Sequence, residues 1–91
     1  MRLDLFLKVS RLSPRRSVAQ KLCDAGLVLL NDQPVKPAHE VKANDVITLR
    51  RHDRETQVRV RAVPDTKNVA KRNAAELVEV IAEKHFESSD F

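Results

Sequence analysis

The first twenty-six residues, MRLDLFLKVSRLSPRRSVAQKLCDAG, decide the fold. On a helical wheel, the stretch from Leu3 to Leu12 puts Asp4, Lys8 and Arg11 on one narrow strip at i, i+4 and i+7. Leu3, Phe6 and Leu7 fall on one flank of that strip and Leu5, Val9 and Leu12 on the other. The spacing predicts a helix packed on both sides, with a single charged seam open to solvent. Asp4, at its start, is expected to accept backbone N–H groups and to pair with Lys8 one turn on. Ser13-Pro14 then signals a second helix, Ser as N-cap and Pro at the first helical position, and Gly26 ends it at C′. This second helix is expected over Pro14 to Ala25, with Val18, Ala19, Leu22 and Cys23 as its apolar stripe and Arg16 and Gln20 beside it. Arg15 and Arg16 lie in its first turn, where the helix's partial positive charge also favours phosphate.

After Gly26 the pattern changes to strands. Leu27-Val28-Leu29-Leu30 leads into a turn at Asn31-Asp32-Gln33-Pro34 and then Val35. Val46 to Arg50 and Gln57 to Val63 flank a polar turn from Arg51 to Glu55 and read as a hairpin. In its second arm Val58, Val60 and Ala62 alternate inward with Gln57, Arg59 and Arg61 outward. Beyond the break at Pro64 to Asn68, a final helix is expected from Val69 to Phe86. Ala70, Ala74, Leu77, Val78 and Ile81 form its stripe, with Glu76, Glu79, Glu83 and Glu87 opposite. Ser88 to Phe91 read as frayed. The fold class is therefore α+β: two helices, a small antiparallel sheet and a C-terminal helix. The expected division is 1–63 for the two helices with the hairpin and 64–91 for the last helix and tail.

Charge is distributed unevenly over the 91 residues, which carry a net +4. Residues 2 to 21 hold Arg2, Lys8, Arg11, Arg15, Arg16 and Lys21 against Asp4 alone, whereas from Ala62 onward six acids face four bases. A basic front with an acidic tail favours an anionic partner. Cys23 has no second cysteine to bridge and reads as a small core residue in a reducing compartment, so the cytoplasm is expected. The start is too charged and too short in apolar length for a signal peptide, and no run approaches a membrane span.

Enzyme chemistry finds no support in the side-chain inventory. His39, His52 and His85 are scattered, one glycine cannot build a phosphate loop, and no metal or cofactor set is suggested. The missing aromatics narrow the binding class further. With no Trp, no Tyr and three Phe, the chain lacks the rings on which single strands stack. A cation cluster without rings suits the phosphates and shape of folded RNA, and five contacts there imply a log-log salt slope of about −3 to −5. Arg50, Arg59 and Arg61 on the sheet are balanced between auxiliary contacts and a solvated face.

The combination Arg2-Leu3-Asp4, Phe6-Leu7, Arg11, Arg16, Ala19, Leu22, Gly26, Val28, Asn31, Val35, Lys36-Pro37, Val41, Asp45 and Ile47 resembles the S4 RNA-binding domain. The resemblance implies an α-L fold, two helices followed by a small β structure, with RNA on the basic helical corner. Through residues 1–12, Arg15-Arg16 and its length, the chain is similar to the RqcP family of bacterial ribosome-associated quality control. Heat-shock protein fifteen is a near relation with a longer, more basic tail and tryptophans absent here. That similarity implies binding to large ribosomal subunits obstructed by peptidyl-tRNA, through rRNA and tRNA; the chain is expected to act as a monomer. It also implies support for C-terminal alanine tailing beside a tailing factor on the same subunit. The family's RNA contacts carry over onto Arg2, Lys8, Arg11, Arg15 and Arg16, and Lys21 joins them as the last base of the cluster. Alternatives are heat-shock-protein-fifteen-like recycling of large subunits, an accessory to an RNA-modifying enzyme, or a protein-interaction module using the acidic face.

Two positions depart from the common pattern. Asp32 stands where Gly often follows the turn Asn, which requires a wider turn or positive φ at Asn31. Arg15 stands where Ser is common, which shifts the expected cap to Ser13.

Overall fold

The computed structural model describes residues 1–65 and 69–86, with residues 71 and 72 described by their backbone alone. Helix α1 (Leu3–Val9) and helix α2 (Arg16–Asp24) precede strands β1 (Val28–Leu30), β2 (Gln33–Pro34), β3 (Val46–Arg50) and β4 (Arg54–Val60). A short α3 (Lys71–Ala74) runs into a 3-10 turn (Ala75–Leu77) and strand β5 (Val78–His85). The five strands form one antiparallel sheet in the order β2-β1-β3-β4-β5.

Both helices cover one face of that sheet. Leu3, Phe6, Leu7 and Val9 of α1 and Ala19 and Cys23 of α2 pack on Val28, Leu30, Ile47, Leu49, Val58 and Val60. These strand positions share one face by the period of two, and burying each large side chain is worth about 1.5–3 kcal/mol.

The second helix begins later than its sequence signals suggest. Ser13 does not cap it: α2 starts at Arg16, with extended Arg15 at the N-cap making no side-chain cap. The Ser13 hydroxyl is buried and donates to the Arg15 carbonyl at 3.0 Å, so it fastens the link between the helices. Helix α1 ends at Val9 rather than Leu12, because Arg11 takes the left-handed conformation (φ 66). Its N–H bonds the Lys8 carbonyl at 3.0 Å, as a C′ residue does. Gly26 has the expected positive φ of 75.

The β1–β2 turn resolves the Asp32 departure. Leu30 pairs with Gln33, leaving Asn31 (φ 52) and Asp32 (φ 69) as a two-residue turn of the primed type. Asn31 is held there by its side chain, whose Oδ1 accepts the Val46 N–H at 2.9 Å while Nδ2 donates to Asp45 Oδ1 at 3.2 Å.

The expected helix from Val69 to Phe86 is replaced by one helical turn and a strand. The β-branched Val78, Val80 and Ile81 suit a strand, and β4 would otherwise leave its outer N–H and C=O groups unpaired. In the sheet Val78 faces Val60 and Val80 faces Val58, with Ile81 as the extra residue of a bulge before Ala82 meets Gln57. The supposed helical glutamate row is dispersed: Glu79 pairs with Arg59 at 3.3 Å, Glu83 accepts the Thr56 hydroxyl at 2.9 Å, and Glu76 is exposed. Glu87 and the expected frayed end lie outside the described residues. Ala62, expected inward, is exposed beyond the end of β4.

Candidate nucleic-acid interface

The basic corner is organised by a buried acid. The loop before β3 grips the start of α1: Leu3 N–H bonds the His39 carbonyl at 2.7 Å and Asp4 N–H the Pro37 carbonyl at 3.1 Å. These contacts satisfy donors that a helix start leaves without partners. The Asp4 side chain is fully buried and does not pair with Lys8, contrary to the wheel reading. It turns instead toward α2, because Arg16 and Gln20, one turn apart on that helix, both face α1.

Four groups share the Asp4 carboxylate. Oδ1 accepts the Leu5 N–H at 2.8 Å and Arg2 Nε at 3.2 Å, and Oδ2 accepts Arg2 Nη2 at 3.2 Å, Arg16 Nε at 3.1 Å and Gln20 Nε2 at 2.8 Å. Burial pushes the Asp4 carboxyl up, but the hydrogen bonds from Gln20, Arg16 and the Leu5 N–H, with the Arg16 charge, outweigh it and hold the group below its ordinary value. It therefore stays an anion. Arg2 keeps 46% of its side chain exposed and Arg16 38%. Each guanidinium is fixed at its inner edge, while Nη1 of Arg2 and both Nη atoms of Arg16 donate to nothing among the described residues. Two cations pre-positioned in this way lose less side-chain freedom on binding an anion, a saving of about 0.5–1.5 kcal/mol per side chain.

Of the six expected binding residues, the structure brings Arg2 and Arg16 together on Asp4. Lys8, Arg11, Arg15 and Lys21 are exposed and make no ion pair with a described carboxylate. Lys8 leaves from the last turn of α1, Arg11 from the left-handed residue after it, and Arg15 from the N-cap of α2. On the sheet, Arg50 pairs with Glu55 at 3.1 Å and Arg59 with Glu79, so their charges are partly neutralised. Gln20 escaped the sequence reading as a site residue, although its place beside the apolar stripe, one turn from Arg16, marked it as facing the partner helix. Cys23 is buried, and burial, then the charges of Asp4 and Asp24, push its thiol up to about 11. Among the described residues no cluster of His, Cys, Asp and Glu could hold a metal, and no helix is long and apolar enough to cross a membrane.

Two helices on a small antiparallel sheet, with arginines fixed at the helical corner, define the class of small α+β proteins that present a cationic helical face. The S4 domain model matches residues 1–47. The RQC P-site tRNA stabilizing factor of Bacillus subtilis is 37% identical over 84 residues, spanning 92% of this chain and 95% of that protein. Heat shock protein 15 of Escherichia coli is 35% identical over 91% of this chain but only 62% of its own length. The trimeric structure of Vibrio cholerae Heat Shock Protein 15 superimposes with a TM-score of 0.80 and 31% identity, covering 90% of this chain and 82% of that one. The chain belongs to the S4 domain family, in the group whose members are named RQC P-site tRNA stabilizing factor.

Proposed function

We propose that this chain is a non-enzymatic RNA-binding factor of ribosome-associated quality control. It acts in the cytoplasm on large ribosomal subunits that retain peptidyl-tRNA. The observation that carries this reading is the Asp4-held pair, Arg2 and Arg16; Lys8, Arg11, Arg15 and Lys21 are exposed on the same two helices and the link between them. Arginine forks held in this way fit phosphate oxygens, and the lack of stacking aromatics favours rRNA and tRNA that are already folded. The names of the relatives supply the ribosomal setting and the P-site tRNA.

In this reading the monomer grips rRNA and peptidyl-tRNA together and steadies the tRNA while a tailing factor on the same subunit extends the stalled chain with alanine. Recycling of the heat-shock-protein-fifteen kind is the second reading, supported by the shared architecture. The near-complete span of the Bacillus subtilis relative, against 62% of the Escherichia coli protein, favours the first.

Co-sedimentation separates the possibilities. The chain should pellet with large subunits bearing peptidyl-tRNA and poorly with empty complete ribosomes, and equal binding to both would overturn the proposal. Loss of alanine tails from stalled chains in cells lacking the protein, restored by the intact chain, would favour tailing support over recycling.

A further inference from the structure

A second cation pair lies on the helix side of the β3–β4 hairpin. Arg51, in the turn, donates from Nη2 to the Leu12 carbonyl at 3.3 Å, so its guanidinium reaches from the sheet to the link between α1 and α2, one residue from exposed Arg11. Arg54 opens β4 on the same face as Thr56, Val58 and Val60, and its N–H and C=O neighbourhood closes on Arg51, whose backbone N–H bonds the Arg54 carbonyl at 2.8 Å.

Unlike Arg50 and Arg59, neither arginine pairs with a described carboxylate. Of the two carboxylates whose charges act on Arg51, Glu83 and Asp53, the first accepts the Thr56 hydroxyl and lies 3.6 Å from His85 Nε2. Arg54 Nε is buried with no acceptor among the described residues. Burial first, and then the charge of Arg54, pull the Arg51 guanidinium below its ordinary value, with Glu83 and Asp53 opposing in part. Two like charges, half-buried together with donors unspent, are costly without an anion.

We infer that Arg51 and Arg54 form a phosphate site for folded RNA that extends the helical corner past Arg11 onto the β3–β4 hairpin. The inference rests on the RNA-binding reading above but not on its ribosomal setting. The hairpin and the helices would then hold neighbouring phosphates of one backbone, with the Leu12 contact setting the spacing between Arg11 and Arg51.

Binding of the full chain to bulk deacylated tRNA, titrated at several salt concentrations, tests it. Arg54→Gln leaves the Arg51–Leu12 bond in place, and it should reduce the magnitude of the log-log salt slope by about 1 while thermal unfolding moves no lower, since a repulsion is relieved. Arg54→Lys, which keeps the charge, should restore the slope. An unchanged slope in a folded Arg54→Gln protein would overturn the inference, as would equal loss in Arg54→Gln and Arg54→Lys. Arg2→Ala with Arg16→Ala serves as the separate control: if that variant loses slope and Arg54→Gln does not, the second site alone is wrong. If neither loses slope, the helical corner is wrong as well.

Discussion

Arg16 reaches back twelve positions along the chain to set its Nε 3.1 Å from Oδ2 of Asp4. That contact joins the two helices through a fully buried charge, and it converts a loose cation on α2 into one aimed beside Arg2.

Replacing Asp4 by Asn keeps the shape and removes the charge. The loss should be about 2 kcal/mol of folding stability, below the range for fully buried pairs because Arg2 and Arg16 can turn toward water. Folded-RNA affinity should fall as well, since the arginines lose their aim while keeping their charge. Urea unfolding and tRNA titration check the two effects. Undiminished affinity would show that the carboxylate does not position the arginines.

The same group sets an acid limit. Its folded value lies below the ordinary 3.8, so its contribution to stability is complete above 3.8 and is lost as the pH falls through the folded value. The stability gap between the native chain and Asp4→Asn should be flat near neutrality and close only in the acid range below that point. A carbon-13 titration of the Asp4 carboxyl with a midpoint at or above 3.8 would contradict this.

Arg11 occupies a left-handed position that glycine fills without cost. Arg11→Gly should therefore raise stability by about 0.5–1 kcal/mol while weakening RNA binding by one phosphate contact. A variant that is both less stable and equally tight in binding would show that neither strain nor phosphate contact resides there.

Cys23 should be inert. With its thiol pushed up to about 11 and its side chain buried, alkylation by iodoacetamide at pH 8 should be slower than in the urea-unfolded chain by at least about a hundredfold. Equal rates would mean that the α2 side of the core opens readily.

Much of this was legible in the residues, and the misses have physical causes. Gly26 at C′ follows from local chemistry, whereas the choice between a wider turn and positive φ at Asn31 is made by the bonds of its side chain to Val46 and Asp45. The α2 start at Arg16 was hidden because the Ser13 hydroxyl found the Arg15 carbonyl rather than a helix N–H. Val78 to His85 carries apolar residues that fit a helical stripe and a strand equally, and the choice was made by the open edge of β4, far away in sequence. On its own helix Asp4 lines up with Lys8, whereas its partners come from Arg2 and from α2. Contacts between elements were the part a wheel cannot show.

The most direct test of the central claim is binding of the Arg2→Ala, Arg16→Ala double variant to large subunits bearing peptidyl-tRNA. The variant should fold, with an affinity lower on the order of tenfold to a hundredfold and a salt slope smaller in magnitude by about 2. Native affinity with an unchanged slope would contradict that claim.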